Sequence, residues 1–307
     1  MKKVIVCIIM AATIFATMEV ALKIGGSSLD PFQLTAVRFL IGGLVLAPPA
    51  VLESRRSGYR LNMKDLAWMA LLGMVGLAMS MVAFQMGVMR CNASTAAPLF
   101  CTNPLFAMVI AHLFTSEKMD KRKWTAFALG IIAAVFMISP WSVQEGNTVA
   151  GMLIMIFAAV TFAVYSVMGK RSIGRIGTYT QTSVSFIAGS FILLALTMAM
   201  GRPVTEGLAD NLPEVLYCGI VVTGIGYLFY FLAIRYSDAS TGSITFFIKP
   251  AIAPVFAVLI LHETVRWNTI AGILLLITAS VITITDTVLR VRQNDTREGG
   301  KDADPAA

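Results

Sequence analysis

Charged side chains buried in long apolar runs are the residues of this 307-residue chain best placed to do chemistry. Glu19, Arg38 and Lys249 each interrupt a stretch long enough to cross a bilayer, and Lys23 follows Glu19 by one helical turn. An ionised group at the centre of a spanning helix costs about 2.5–3.5 kcal/mol on insertion scales, which makes each a functional suspect. The chemistry open to them is recognition: cations hold an anionic ligand, and a carboxylate holds a cation or a proton. Lys249 lies about 13 Å from its helix boundary at 1.5 Å per residue, with little scope to snorkel. Thr241, Thr245 and Lys249 recur every four residues, a polar stripe on an otherwise apolar helix that faces a cavity. Arg38, about two turns from the end of its run, has the reach to snorkel, and a structural role weighs slightly more there than ligand binding.

Glu19 has two rival partners. Glu19 and Lys23 stand in the favourable order for an intrahelical pair. Mutual neutralisation leaves Arg38 and Lys249 without an obvious carboxylate, and such a cavity favours a substrate bearing a carboxylate or another anion. Alternatively Glu19 pairs across the cavity with Lys249, a proton-sensitive latch. The sequence leaves both open.

Catalytic signals are thin. His262-Glu263 is followed by Arg266 where a zinc-binding H-E-x-x-H helix needs its second histidine. There is no phosphate loop, no dinucleotide fingerprint and no spaced Cys/His set, so neither an enzyme nor a cofactor is expected. Cys7, Cys91, Cys101 and Cys218 are too scattered to imply a disulfide framework.

The elements that must position these charges are membrane helices. The chain is 57% hydrophobic and 13% charged, with mean hydropathy +0.78, whereas soluble domains carry about 25% charged residues. Apolar runs at 4–24, 31–51, 66–87, 94–114, 124–140, 150–169, 180–200, 214–234, 240–261 and 268–288 predict ten spanning helices. The first run, interrupted by Glu19 and Lys23, is a retained helix and not a cleaved signal. With the N-terminus in the cytoplasm, eighteen Lys and Arg fall on the inner side and three, Arg90, Arg202 and Arg266, on the outer side. The positive-inside rule therefore predicts a multi-pass protein of the cell (inner) membrane with both termini cytoplasmic. The net charge of +7 reflects that topology and excludes a nucleic-acid partner.

A repeat organises the helices. Ala93, Ser94, Thr95, Phe100, Pro104, Ala107, Val109, Ala111, Leu113 and Glu117 recur 146 residues on as Ala239, Ser240, Thr241, Phe246, Pro250, Ala253, Val255, Ala257, Leu259 and Glu263. The copies are helices four and nine, and five spans between them invert the second copy. The fold class is thus an all-α integral membrane protein of two inverted five-helix repeats, 1–140 and 141–289, with a disordered cytoplasmic tail at 290–307. Inverted repeats are the frame of alternating-access carriers, with the site near the midplane between halves. Asn103 is the mate of Lys249 and both precede a proline. Pro104 and Pro250 cannot donate to the carbonyls of Phe100 and Phe246, so each helix is expected to kink and act as a hinge. Glu117 and Glu263, at opposite membrane faces, are candidates to tie loops or gate ends.

Candidate cavity walls are Phe15 on helix one, Gln85 on helix three, Tyr165 on helix six, Tyr227 and Tyr230 on helix eight, and Thr245 on helix nine. A tyrosine there stacks on a planar substrate while its hydroxyl hydrogen-bonds.

Over residues 4 to 288 the chain resembles the ten-helix EamA-type carriers of the drug/metabolite transporter superfamily. The resemblance rests on Pro31 to Leu40, Ala93 through Pro104 to Glu117, Gly151 to Tyr165, Gly224-Ile225-Gly226-Tyr227, and Ala239 through Pro250 to Glu263. It implies export of small metabolites such as amino acids, a cavity lined by helices other than five and ten, and homodimers through peripheral helices. The chain departs from that family's pattern at Phe15-Ala16, where Trp-Gly is usual, at Glu19, and at Lys249 before Pro250. Multidrug efflux, or a membrane scaffold or sensor on the same fold, are the competing functions.

Overall fold

The computed structural model describes residues 2–26, 28–115, 118–236 and 239–299, and their side chains except at 234, 235, 239–244, 247, 284 and 286–299. Ten helical segments follow one another: α1 (Lys2–Gly25), α2 (Pro31–Ser57), α3 (Met63–Val88), α4 (Ala93–Phe114), α5 (Lys121–Ile138), α6 (Val149–Ile176), α7 (Thr178–Ala199), α8 (212–236), α9 (Ala239–Leu261) and α10 (Trp267–Gly299). Among the described residues there is no strand. Seven of the ten, α1 to α4 and α6 to α8, have spans with both the length and the apolarity to cross a membrane.

Local chemistry starts these helices. Asp30 accepts from the amides of Phe32 and Gln33 ahead of Pro31, Asn62 and Asp65 form a capping box at α3, and Thr148 accepts from Gly151 at α6. Each satisfies amide groups that a first helical turn leaves bare. Two helices borrow a cap from elsewhere. The Glu53 carboxylate at the end of α2 accepts from the amides of Thr178 and Thr180 and the Thr180 hydroxyl at the start of α7. Glu263, past the end of α9, does the same for α4 through Ala93 and Ser94.

Packing carries the repeat into three dimensions. α1 packs on α8 and α9, and its mate α6 packs on α3 and α4; α2 packs on α8, and its mate α7 on α3. The mates α2 and α7, α4 and α9, and α5 and α10 touch each other, as elements on a pseudo-two-fold axis must. α2 and α7 meet closely where Phe39 and Phe186 contact edge to face, ring centroids 4.7 Å apart.

Besides α4, three helices depart from plain α geometry beside the centre. α1 breaks at Thr17, whose hydroxyl returns to the Ile14 carbonyl. α3 widens to a π-helix over Met74–Met81 and α8 over Tyr217–Ile225. Carried across the 146-residue offset, the first falls on 220–227 and overlaps the second, so the two π segments are repeat mates.

The proline expectations divide. α4 is interrupted at Cys101–Thr102, immediately before Pro104, whereas α9 runs unbroken through Pro250 and Pro254. The matched prolines thus stand in two local settings, an interruption in α4 and a continuous helix in α9. At the C-terminus α10 reaches Gly299, so residues 290–299, expected to be disordered, are helical; no proline or glycine interrupts the chain between Gly272 and Gly299.

Candidate functional site

A central cavity lies where α1, α2, α3, α4, α6, α8 and α9 converge, and among the described residues none of α5, α7 or α10 lines it. Phe15, Phe39, Phe100, Phe162, Tyr227 and Phe246 make that wall largely aromatic, joined by Met18, Met81, Val222 and Thr223, and two cations reach it, Arg38 and Lys249. About 20 Å³ remains inside, room for water but not for a metabolite, so this conformation is closed around its centre.

Lys249, 1% exposed, donates from Nζ to Glu19 Oε1 at 2.5 Å; Glu19 is fully buried. The rings of Phe84 and Phe100 lie 5.9 and 5.7 Å from the same ammonium, a cation–π environment. The pair spans the repeats, α9 to α1. Glu19 Oε2 keeps no hydrogen bond.

Lys23 is engaged elsewhere, so of the two partners the sequence left open for Glu19 the structure pairs it with Lys249. Its ammonium donates to Glu263 at 3.1 Å and to the Cys91 carbonyl at 2.9 Å. The preference for an i, i+4 pair fails because α1 turns Glu19 inward and Lys23 toward the membrane face, where the Glu263 carboxylate already caps α4. Burial pushes the Glu263 carboxyl up, but the Ser94 and Ala93 amides, the Ser94 hydroxyl and Lys23 outweigh it and hold it below its ordinary value. This cluster bolts α1, the α3–α4 turn, α4 and α9 together at one face.

Arg38 has no such partner. It is 1% exposed, its two terminal nitrogens face Met18 Sδ at 3.9 Å and Met81 Sδ at 3.8 Å, and its guanidinium lies over the Phe39 ring at 4.6 Å. Nε has no hydrogen-bond partner. Thioethers are weak acceptors, so a full cation sits in an apolar wall with no carboxylate paired to it among the described residues. Snorkelling to a membrane face is thereby corrected: the side chain points to the centre.

Asn103 does not join Lys249 at the cavity. Its Nδ2 donates to the Phe100 carbonyl at 2.8 Å, the carbonyl that Pro104 leaves without a helical donor. Asn103 therefore satisfies the break in α4. Phe15 and Tyr227 line the cavity, ring centroids 5.2 Å apart, while Tyr230 stands one layer out against Phe15 and Phe246. Tyr165 packs on Phe162 and over Gly76. Gln85 is fully buried, reaching the Leu22 carbonyl at 3.4 Å with Oε1 unpartnered, and Thr245 is buried with a free hydroxyl. Pro250 is the buried neighbour of Lys249. Glu117 and the side chain of Thr241 lie outside the described residues.

Sequence reasoning passed over Met18 and Met81, which hold Arg38, and every phenylalanine of the wall except Phe15. Phe100 and Phe246 carried a signal, as repeat mates four residues before the matched prolines; among eighteen methionines nothing singled out two.

The EamA-like transporter family model matches residues 2–139 and 149–285. The chain belongs to that family and is a multi-pass membrane protein. It is 35% identical over 289 residues to an uncharacterized transporter of Clostridium kluyveri, covering 92% of this chain and 93% of that one. It is 23% identical over 264 residues to a probable terminal-alkyne amino-acid exporter of Streptantibioticus cattleyicolor, covering 86% and 87%. A solved crystal structure superposes with a TM-score of 0.65 at 18% identity over 92% of this chain and 96% of that one, a likeness of fold.

Proposed function

We propose that this protein is a secondary carrier of the cell membrane, with both termini cytoplasmic, that exports small carboxylate-bearing metabolites, amino acids among them, by alternating access. The observation that carries this reading is Arg38: a buried cation without a carboxylate partner at the wall of a cavity between two repeats. In apolar surroundings a guanidinium calls for an anion. Glu263 with Lys23 forms the outer gate on this reading, by the charge count of the loops. The relative from Streptantibioticus, named a probable terminal-alkyne amino-acid exporter, supports the amino-acid class by analogy.

Multidrug efflux is disfavoured because the carboxylate at the centre among the described residues, Glu19, is already charge-paired with Lys249. The test is counterflow of radiolabelled amino acids and monocarboxylates in proteoliposomes. Saturable exchange in the wild type, lost in Lys249→Met and Arg38→Met when flux is normalised to folded, reconstituted protein, is expected. Normal exchange in both variants removes the site assignment; no exchange across a broad panel favours the scaffold.

A further inference from the structure

The charge of the ligand follows from a count at the centre that does not depend on where the proton of the Lys249–Glu19 pair resides. Ammonium with carboxylate sums to zero, and amine with carboxylic acid also sums to zero. Arg38, always charged, adds one positive charge. The other titratable groups acting on this cluster are Cys101 on α4 and Cys218 and Tyr227 on α8, all neutral near pH 7 at ordinary values. Lys23, which the sequence alone would add to the count, is held by Glu263 at the membrane face.

We infer that this site takes small organic anions of net charge −1 with an apolar or aromatic body, and that Met18 and Met81 are placeholders for the two carboxylate oxygens on Arg38. This rests on the carrier reading's carboxylate class and narrows it. One monoanion neutralises the site, a zwitterion leaves it at +1 and a cation takes it to +2, each step costly where the dielectric is low. The sulfurs stand one on each terminal guanidinium nitrogen, 3.9 and 3.8 Å away. A carboxylate meets the same two nitrogens in a parallel fork. Thioethers are soft and adaptable, so they yield to the ligand without leaving a desolvated charge of their own, which an internal Asp or Glu would. Phe15, Phe100 and Tyr227 supply the surface for the ligand's body.

Three probes share a benzyl body and differ in charge: phenylacetate at −1, phenylalanine as a zwitterion and phenethylamine at +1. Binding to the purified full-length protein at pH 7 is read as the shift in unfolding midpoint over a concentration series. Phenylacetate is expected to bind at least about tenfold more tightly than phenylalanine, with no shift from phenethylamine. Arg38→Met abolishes the phenylacetate shift. Met81→Glu, which leaves Arg38 in place and supplies an internal counter-charge, abolishes it too. A shift from phenethylamine equal to or above that of phenylacetate overturns the inference, as do absence of any phenylacetate shift and its persistence in either variant. The wild-type order decides even if Arg38→Met does not fold. Phenylacetate that binds in this order but shows no counterflow removes the carrier reading and leaves the charge assignment standing; counterflow of zwitterions or cations without phenylacetate binding does the reverse.

Discussion

Lys249 on α9 and Glu19 on α1 share a hydrogen bond of 2.5 Å that ties the second repeat to the first inside the apolar region. Both groups are desolvated, so each is tolerable only with the other. Removing one partner of a buried pair costs roughly 3–5 kcal/mol, whereas replacing both with apolar groups of similar volume is often neutral. Lys249→Met and Glu19→Leu are each expected to lower unfolding stability in detergent by that amount, and the double variant to recover most of it. A double-mutant cycle in which the two losses simply add would mean that the pair is not coupled.

Glu263 predicts a pH dependence at the opposite end of α9. Its carboxyl is held below the ordinary value because the amides of Ala93 and Ser94, the Ser94 hydroxyl and Lys23 outweigh burial. A depressed folded-state value means that the carboxylate's contribution is complete above the ordinary glutamate range and is lost as pH falls through the lowered value. This part of wild-type stability is therefore expected to fall away as pH drops into the ordinary glutamate range, about 4.3, and below it. Glu263→Gln, missing about 1 kcal/mol of capping, should lack that part of the acid decline. Unfolding midpoints between pH 3 and 7 check it; parallel curves for the two proteins would contradict the cap.

The frame was legible in the sequence and the partnerships were not. Hydropathy runs, loop charges and the repeat from Ala93 to Glu117 need only one-dimensional periodicity, and the helices and the family match follow them. Glu19 was legible as buried and Lys249 as one of its two possible partners, yet that partner lies 230 residues away, and spacing along one helix says nothing about which way the helix faces, so the choice between Lys23 and Lys249 needed the structure. Asn103 and Lys249 matched in depth and register, but one side chain turned back onto its own broken helix. The widened turns in α3 and α8 have no residue signature comparable to a proline, so they emerged only in three dimensions.

Gly73 and Gly189 bring α3 and α7 to backbone contact. A Cβ on Gly73 would stand 2.4 Å from the Ser185 carbonyl oxygen and 2.8 Å from Gly189 Cα, and small residues permit such approaches between membrane helices. Backbone cannot rotate aside as a side chain can. Gly73→Ala is expected to cost about 1–3 kcal/mol by overpacking. Gly174→Ala, with nothing near its position, should be neutral or slightly stabilising. Equal thermal midpoints for the two variants would show that α3 and α7 separate freely.

Thr223 offers a way to disturb one π segment and leave its mate alone. Its hydroxyl donates to the Cys218 carbonyl, five residues back, at 2.7 Å, and the bond closes a turn wider than an α-helix, which uses four. Such turns hold one extra residue, and their migration along a helix rotates the residues they pass by about 100°. Met81 ends the segment in α3, and Val222, Thr223 and Tyr227 lie in or just past the one in α8; all four line the cavity. On the proposed carrier reading, one repeat rocking against the other would use matched non-α turns such as these two. Thr223→Val keeps the shape and removes the bond, for a cost of about 1 kcal/mol. Hydrogen exchange is expected to accelerate over Tyr217–Ile225 and to stay unchanged over Met74–Met81. Faster exchange in both segments would mean that they move as one unit, and no change in either would deny the hydroxyl any part in holding the turn.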